Sequence, residues 1–331
     1  MKKKKLPPKK ALSSNYFFIL ATAIIFAVAV FLPTKKLVNI VEPKESFTED
    51  DLKNAGKIKG AKDLKTGGSL SPINPTIKNG LQNNFPLISA TSAIAVDLNS
   101  GTILYEKDAN TPLPPASTTK IATALVVLEN YDLSKLVTIP KSCVGLEGNN
   151  VGFLENDKVS VENLLYGMLV KSSSDASCAL ASIDSKENFI FLMNNMALNL
   201  GLKNTNFTNE IGFDSENESH VSSANDLYLL AKKAMQNDFF RIIVGTRTFT
   251  IPSFINPQNP YFITTTNELL TTLPGTTGIK TGNTEKAKGC LVFSYDNLGK
   301  KILIVVMGSN KRFEDTKEIL RWTLESFEFP H

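Results

Sequence analysis

Between Tyr16 and Leu32 the chain runs for seventeen residues without a charge. A helix of that length rises roughly 25 Å, near the lower end of what spans a bilayer's hydrocarbon core. Six lysines precede the run (2, 3, 4, 5, 9 and 10), and Pro33, Lys35 and Lys36 follow it. Such an excess of lysine keeps its own side in the cytoplasm and sends the rest of the chain outward. A cleaved signal peptide is the rival reading. Its best cleavage triplet, Ala27-Val28-Ala29, lies inside the apolar run with Val30-Phe31-Leu32 still to come, and the run exceeds the usual signal length. A buried core helix would normally show a polar face, and this run has none. The expectation is a retained single-pass anchor in the cell membrane, with the body of the chain extracytoplasmic.

The anchor also accounts for the charge. The 331 residues hold 36 basic and 32 acidic side chains, a net of +4, but eight lysines and no acid lie in residues 1–36. The remainder has 28 basic against 32 acidic, a net of −4, so the basic character belongs to the terminus and does not point to nucleic acid. With 42% hydrophobic and 21% charged residues, a buried core is available, and disordered, collagen-like and disulfide-framework chains are excluded. Cys143, Cys178 and Cys290 are odd in number and widely spaced. They show no framework or metal spacing; one disulfide stays open, and small buried side chains are the preferred reading.

Residues 37–85 are punctuated by Gly56, Gly60, Gly67, Gly68, Pro72 and Pro75 and read as a linker. As a flexible coil they would span roughly 40 Å. Residues 86–331 are the right size for one domain. That body opens on a hairpin pattern, Ser92–Leu98 and Thr102–Tyr105 around Asn99-Ser100-Gly101. Helical patterns follow from Ser117 (Ile121, Leu125 and Leu128 on one face), Val161–Leu169, Lys186–Leu200 and Ala224–Met235. A second hairpin joins Gly289–Tyr295 to Lys301–Met307, and a helix closes the chain over Arg312–Phe327, with Trp322 and Phe327 as packing residues. Ile302–Met307 is continuously apolar, as in a strand covered on both faces. The order predicts a mixed α/β (α+β) domain, its sheet built from the two ends around a helical insertion.

Three short segments carry chemistry. In Ser117-Thr118-Thr119-Lys120 the serine and lysine are three apart, on one face of a helix. A neutral lysine can take the serine's proton, provided its surroundings lower its titration from the ordinary value near 10.4. Alone, the segment reads more readily as a capping serine with a solvated lysine. In Lys280-Thr281-Gly282-Asn283 a lysine and a hydroxyl flank a glycine that permits close approach, an arrangement suited to a carboxylate. Lys65-Thr66-Gly67 repeats the tripeptide within the linker, so the strand context decides between them. Ser172-Ser173-Ser174 follows the helix ending near Val170; Ser172 is placed to relay a proton, although the serines also suit a helix cap. His220 and Asp226 invite a Ser-His-Asp reading, but they start a helix that Ser222 or Ser223 caps.

In this order, S-x-x-K, a serine-led triplet and K-T-G resemble the signature of penicillin-recognising serine enzymes. The stretch Ala93–Asp97, Leu104–Lys107 and Pro115–Ile121 resembles the opening of D-alanyl-D-alanine carboxypeptidases. So do Asn209-Glu210-Ile211-Gly212, His220–Leu227, Asn267–Leu270 and Gly275–Thr284, in unbroken order from Ser92 to Met307. The resemblance implies a serine β-lactamase/D,D-peptidase-like fold, an antiparallel sheet flanked by helices, with no cofactor or metal. It implies that Ser117 is the acylated nucleophile, Lys120 its base and Ser172 a proton relay. Lys280 and Thr281 would hold the terminal carboxylate of D-Ala-D-Ala, and Lys280 would also help keep Lys120 neutral. The backbone N–H groups of Ser117 and Asn283 would form an oxyanion hole, worth on the order of 3–4 kcal/mol per donor.

Two departures stand out. Ser174 occupies the position where the family pattern has asparagine, and a hydroxyl reaches less far and offers one donor. Literal S-x-N triplets at Ser13, Ser215 and Ser223 are out of place. The chain also ends soon after its last helix, where several relatives carry a further β domain and an amphipathic anchor; the N-terminal segment would replace that anchor. The implied activity is removal of the terminal D-alanine from peptidoglycan stem peptides, with β-lactams as covalent inhibitors. The alternatives are D,D-endopeptidase action on cross-links, a β-lactamase with Glu162 as its base, and a non-catalytic wall-binding module.

Overall fold

The computed structural model describes residues 74–78, 85–214 and 220–330. The Tyr16–Leu32 run, the decoy Lys65-Thr66-Gly67, Ser13 and Ser215 lie outside them. Among the described residues no helix is long and apolar enough to cross a membrane.

The centre is a five-stranded antiparallel sheet in the order β3 (Ile103–Lys107), β2 (Ser92–Asp97), β10 (Lys300–Ser309), β9 (Lys288–Asn297), β8 (Thr276–Thr284). The first two strands come from one end of the body and the last three from the other. Between them lie helices α1 (Lys120–Asn130), α2 (Val161–Val170), α3 (Ser174–Ala181), α4 (Lys186–Asn199), α5 (Ala224–Ala234), α6 (Asp238–Val244) and the short α7 (Leu269–Thr272). Helix α8 (Arg312–Ser326) closes the body. Three two-stranded ribbons complete it: β4 (Leu136–Thr138) with β5 (Lys158–Ser160), β6 (Thr248–Ile251) with β7 (Tyr261–Thr264), and β1 (Thr76–Ile77) with β11 (Phe327–Glu328). Thus residues 76–77, at the end of the glycine- and proline-punctuated stretch, are hydrogen-bonded to the end of the chain.

The period of two in a strand explains the unbroken apolar run. Ile302, Ile304 and Val306 of β10 face one side, where they meet Ile319, Leu320 and Trp322 of α8. Leu303, Val305 and Met307 face the other and join the core shared with α1, α2 and α5. All six are fully buried, and each contributes on the order of 1.5–3 kcal/mol of hydrophobic stabilisation. Trp322 stacks edge-on against Tyr105 and Phe327, as packing residues should.

The preference for three unbonded cysteines is overturned. Cys143 and Cys178 form a disulfide, tying the turn Lys141–Cys143 to α3. A separation of 35 positions carries no local signal; the pairing depends on how β4 and β5 return the chain beside α3. Cys290 is a free buried thiol, which burial pushes up to about 11. Reducing the disulfide is expected to lower stability by about 2–4 kcal/mol. Urea unfolding with and without reductant checks this, and an unchanged midpoint contradicts it.

Candidate active site

The Ser117 segment is a turn of 3-10 helix, Ala116–Thr119, leading into α1. In that geometry residues three apart eclipse one another, so Lys120 Nζ lies 2.8 Å from Ser117 Oγ. The turn is strained: Ala116 has φ +48° although it carries a side chain. It is held from several sides. Thr118 Oγ1 donates to Pro115 O at 2.6 Å and Thr119 Oγ1 to Ala116 O at 2.8 Å. Thr208 N donates to His220 Nδ1, which leaves the ring proton on Nε2, 2.9 Å from Thr119 Oγ1. His220 is therefore a strut behind the Ser117 turn. Asp226 lies in the first turn of α5, where Ser223 Oγ accepts from its N–H.

A second loop completes the surroundings of Lys120. Asn209 Oδ1 gathers the N–H groups of Ile211, Gly212 and Phe213 at 3.2, 2.6 and 3.0 Å. That curl presents Ile211 O to Lys120 Nζ at 2.8 Å. Lys120 is fully buried. Burial pushes its amine down to about 7, while the Glu210 carboxylate pulls it back up.

The serine triplet divides its tasks between site and scaffold. Ser173 Oγ caps α3 by accepting from Ala176 N, the structural role the sequence also allowed. Ser172 sits at φ +61°, which turns its hydroxyl toward β8, where Lys280 Nζ donates to it at 2.7 Å. Lys280 Nζ also donates to Thr281 O at 2.9 Å. Asp175 fastens the triplet to the neighbouring loop, accepting from Val151, Gly152 and Phe153 N at 3.2, 2.8 and 3.2 Å. Ser174 N donates to Asn149 O at 2.7 Å.

Strand β8 packs directly on the Ser117 turn because Gly282 has no side chain. A Cβ there would lie 3.0 Å from Ala116 Cβ and 3.1 Å from Ser117 N. Thr281 Oγ1 is 2.6 Å from Thr266 Oγ1, and Arg312 Nη1 donates to Asn283 Oδ1 at 3.4 Å. Ser117, Ser172, Ser174, Thr281, Gly282 and Asn283 line one cavity of about 1020 Å³, together with Thr266 and Arg312. Lys120 and Lys280 are buried beneath its wall. Glu162 is exposed in the first turn of α2 and is not among the lining residues. No group of three or more His, Cys, Asp or Glu among the described residues is arranged to hold a metal.

Burial is the first cause that lowers Lys120, and Lys120 and Lys280 each disfavour the other's charge. Lys280 is itself pushed well down, by burial first and then by Lys120 and Arg312.

Residues 79–311 match the family model for D-alanyl-D-alanine carboxypeptidases. The chain belongs to this family. A D-alanyl-D-alanine carboxypeptidase of Bacillus subtilis, DacF, is 32% identical over 239 residues, covering 70% of this chain and 60% of that protein. One from Streptomyces strain K15 is 35% identical over 257 residues, covering 72% of this chain and 88% of that protein. The crystal structure of the Streptomyces K15 DD-transpeptidase superposes with a TM-score of 0.68 at 34% identity, covering 73% of this chain and 99% of that one. A penicillin-binding protein homologue from Mycobacterium tuberculosis gives 0.69 at 30% identity, over 73% and 93% of the two chains. Family membership makes this chain a serine-type D-Ala-D-Ala carboxypeptidase with the antiparallel sheet and helices of that fold.

Thr266, Arg312, Gly212 and the loop Glu147-Gly148-Asn149 also line the carboxypeptidase cavity, and the motif reading did not single them out for the site. Arg312 follows the last sheet strand with no motif around it; only the fold brings it beside Asn283.

Proposed function

We propose that this carboxypeptidase is tethered to the membrane by its N-terminal segment and removes the terminal D-alanine of peptidoglycan stem peptides outside the cytoplasm. The observation that carries the chemical assignment is the 2.8 Å approach of Lys120 Nζ to Ser117 Oγ, with the amine fully buried. The Cys143–Cys178 disulfide favours an oxidising, extracytoplasmic setting. The Tyr16–Leu32 run flanked by lysines supports the tether.

In this reading Ser117 Oγ attacks the carbonyl carbon of the penultimate D-alanine while its proton passes to neutral Lys120. The N–H groups of Ser117 and Asn283 receive the developing oxyanion. Collapse breaks the C–N bond; the departing D-alanine amine takes the Ser172 hydroxyl proton, and the Lys120 ammonium passes the proton it took from Ser117 on to Ser172, whose oxygen is engaged by Lys280, so that Lys120 is neutral again. Water, deprotonated by Lys120, then hydrolyses the Ser117 ester. Thr281 and Arg312 offer a hydroxyl and a guanidinium to the terminal carboxylate. A transpeptidation reading differs only in replacing water by an amine acceptor; it draws support from the Streptomyces K15 relative, described under both names.

The test uses the full chain in detergent. After penicillin treatment, intact-mass analysis and peptide mapping should find one adduct, on Ser117. A peptide ending in D-Ala-D-Ala should release D-alanine. Labelling without release would favour a wall-binding module, and rapid nitrocefin turnover a β-lactamase. Ser174 gives a further expectation. Ser174 lines the cavity, so an amide of greater reach can extend into it. Ser174→Asn is expected to acylate roughly fivefold faster, the equivalent of about 1 kcal/mol for one added hydrogen bond. A slower variant in stopped-flow acylation contradicts this.

A further inference from the structure

We infer that Glu210 is a buried counter-charge to Lys120 and fixes how far toward acid pH the chain acylates, an inference that rests on Lys120 being the base. The carboxylate belongs to the loop that holds the amine. Its neighbour Ile211 supplies the carbonyl that Lys120 Nζ bonds at 2.8 Å. One turn further along α1, Thr123 Oγ1 donates to the backbone carbonyl of Glu210 at 2.7 Å. Glu210 is 2% exposed, and its Oε2 has no hydrogen-bond partner among the described residues. A buried carboxylate left this bare is costly unless cations stabilise it.

Two cations face it: Lys120 from α1, and Lys186 at the start of α4, whose Nζ lies 3.9 Å from Oε2 with its side chain 63% exposed. The other charged or titratable groups around the base are Lys280 on β8, Arg312 on α8 beside Lys280, and His220 before α5. Asp214, on the same loop as Glu210, is engaged by Thr284 Oγ1 and Lys286 N. Glu210 is the one that favours the charged form of Lys120, against the larger effect of burial.

The sign follows directly. Lys120 must be neutral to take the Ser117 proton, and a negative charge beside it favours the ammonium. Glu210 therefore makes acylation fail at a higher pH than burial alone would dictate. Replacing it with an uncharged residue extends activity toward acid, and adding negative charge at Lys186 does the opposite.

The experiment measures the rate of penicillin acylation of the full chain across the acid and neutral range. Glu210→Gln is expected to move the acid limb down by roughly half a pH unit, about threefold faster acylation below the limb. Lys186→Glu is expected to move it up by a smaller amount, because that side chain is solvated. Opposite shifts in the two variants support the inference. A limb unmoved in both, or a uniform loss of rate with the limb in place, overturns it and leaves Lys120 as the base. If Glu210→Gln does not fold, the upward shift of Lys186→Glu, at an exposed position, decides alone. A wild-type profile without any acid limb overturns both this inference and the assignment of the base.

Discussion

Ser117→Ala is expected to form no covalent penicillin adduct and to release D-alanine at least about 10⁴-fold more slowly than the wild type. Lys120→Ala should be nearly as slow, because a serine hydroxyl without its base is a poor nucleophile. The two side chains meet at 2.8 Å and act as one unit. The double variant should therefore be no slower than Ser117→Ala alone, since removing a base from a nucleophile that is already gone removes nothing more. Fluorescent penicillin labelling and a free D-alanine assay on all three variants provide the measurement. Equal labelling of Ser117→Ala and wild type would move the nucleophile elsewhere in the cavity. Losses that multiply in the double variant would show that the two residues act in separate steps.

Gly212→Ala should be almost as damaging, although Gly212 donates no group to the reaction. Its φ of +93° already disfavours a side chain, and an alanine Cβ would stand 1.9 Å from Ala116 O, 2.4 Å from Ala116 C and 2.9 Å from Thr119 Oγ1. Two of those atoms are backbone, so no rotamer change relieves the clash. Either the curl around Asn209 opens, withdrawing Ile211 O from Lys120, or the strained Ala116 turn shifts, moving Ser117. We expect a loss of at least about 3 kcal/mol of stability and the loss of penicillin acylation. Urea unfolding and labelling of the folded fraction measure the two effects separately. A stable, fully reactive variant would mean that the two loops do not depend on their close approach.

How much of this was legible in the sequence depends on the distance over which each feature is decided. The approach of Lys120 to Ser117 was legible from their spacing, because three residues along a helical turn fix both side chains locally, although their roles rested on the order of all three motifs. The faces of β10 followed from its uninterrupted apolar run, and the sheet's two-ended construction followed from the order of hairpins and helices. The residues that tune the site lie far away along the chain. Ile211 O reaches Lys120 across 91 residues, and Lys280 reaches Ser172 across 108. Nothing in Asn209–Gly212 taken alone reveals that its peptide groups line the Lys120 amine. The cysteines failed for the same reason: a pair 35 residues apart has no local pattern. That burial leads in lowering Lys120 could not be ranked from the sequence, because burial is a property of the assembled body, whereas charge can be counted from letters.

The pairing of β2 with β10, in which Asp97 lies opposite Ile302, has a consequence for the order in which the protein becomes itself. When the ribosome has added Val244, every residue of the first two motifs exists, yet only two of the five sheet strands do. The hairpin β2–β3 has no neighbour until some two hundred residues later, and Lys280 arrives on the strand that must pack against Ser117. Contacts so distant along the chain form late. Newly made chains should thus stay blind to penicillin until β10 has emerged, and reactivity should switch on as a single late event during biogenesis. Any system that moves the unfinished polypeptide therefore handles an inert thread rather than a half-built hydrolase.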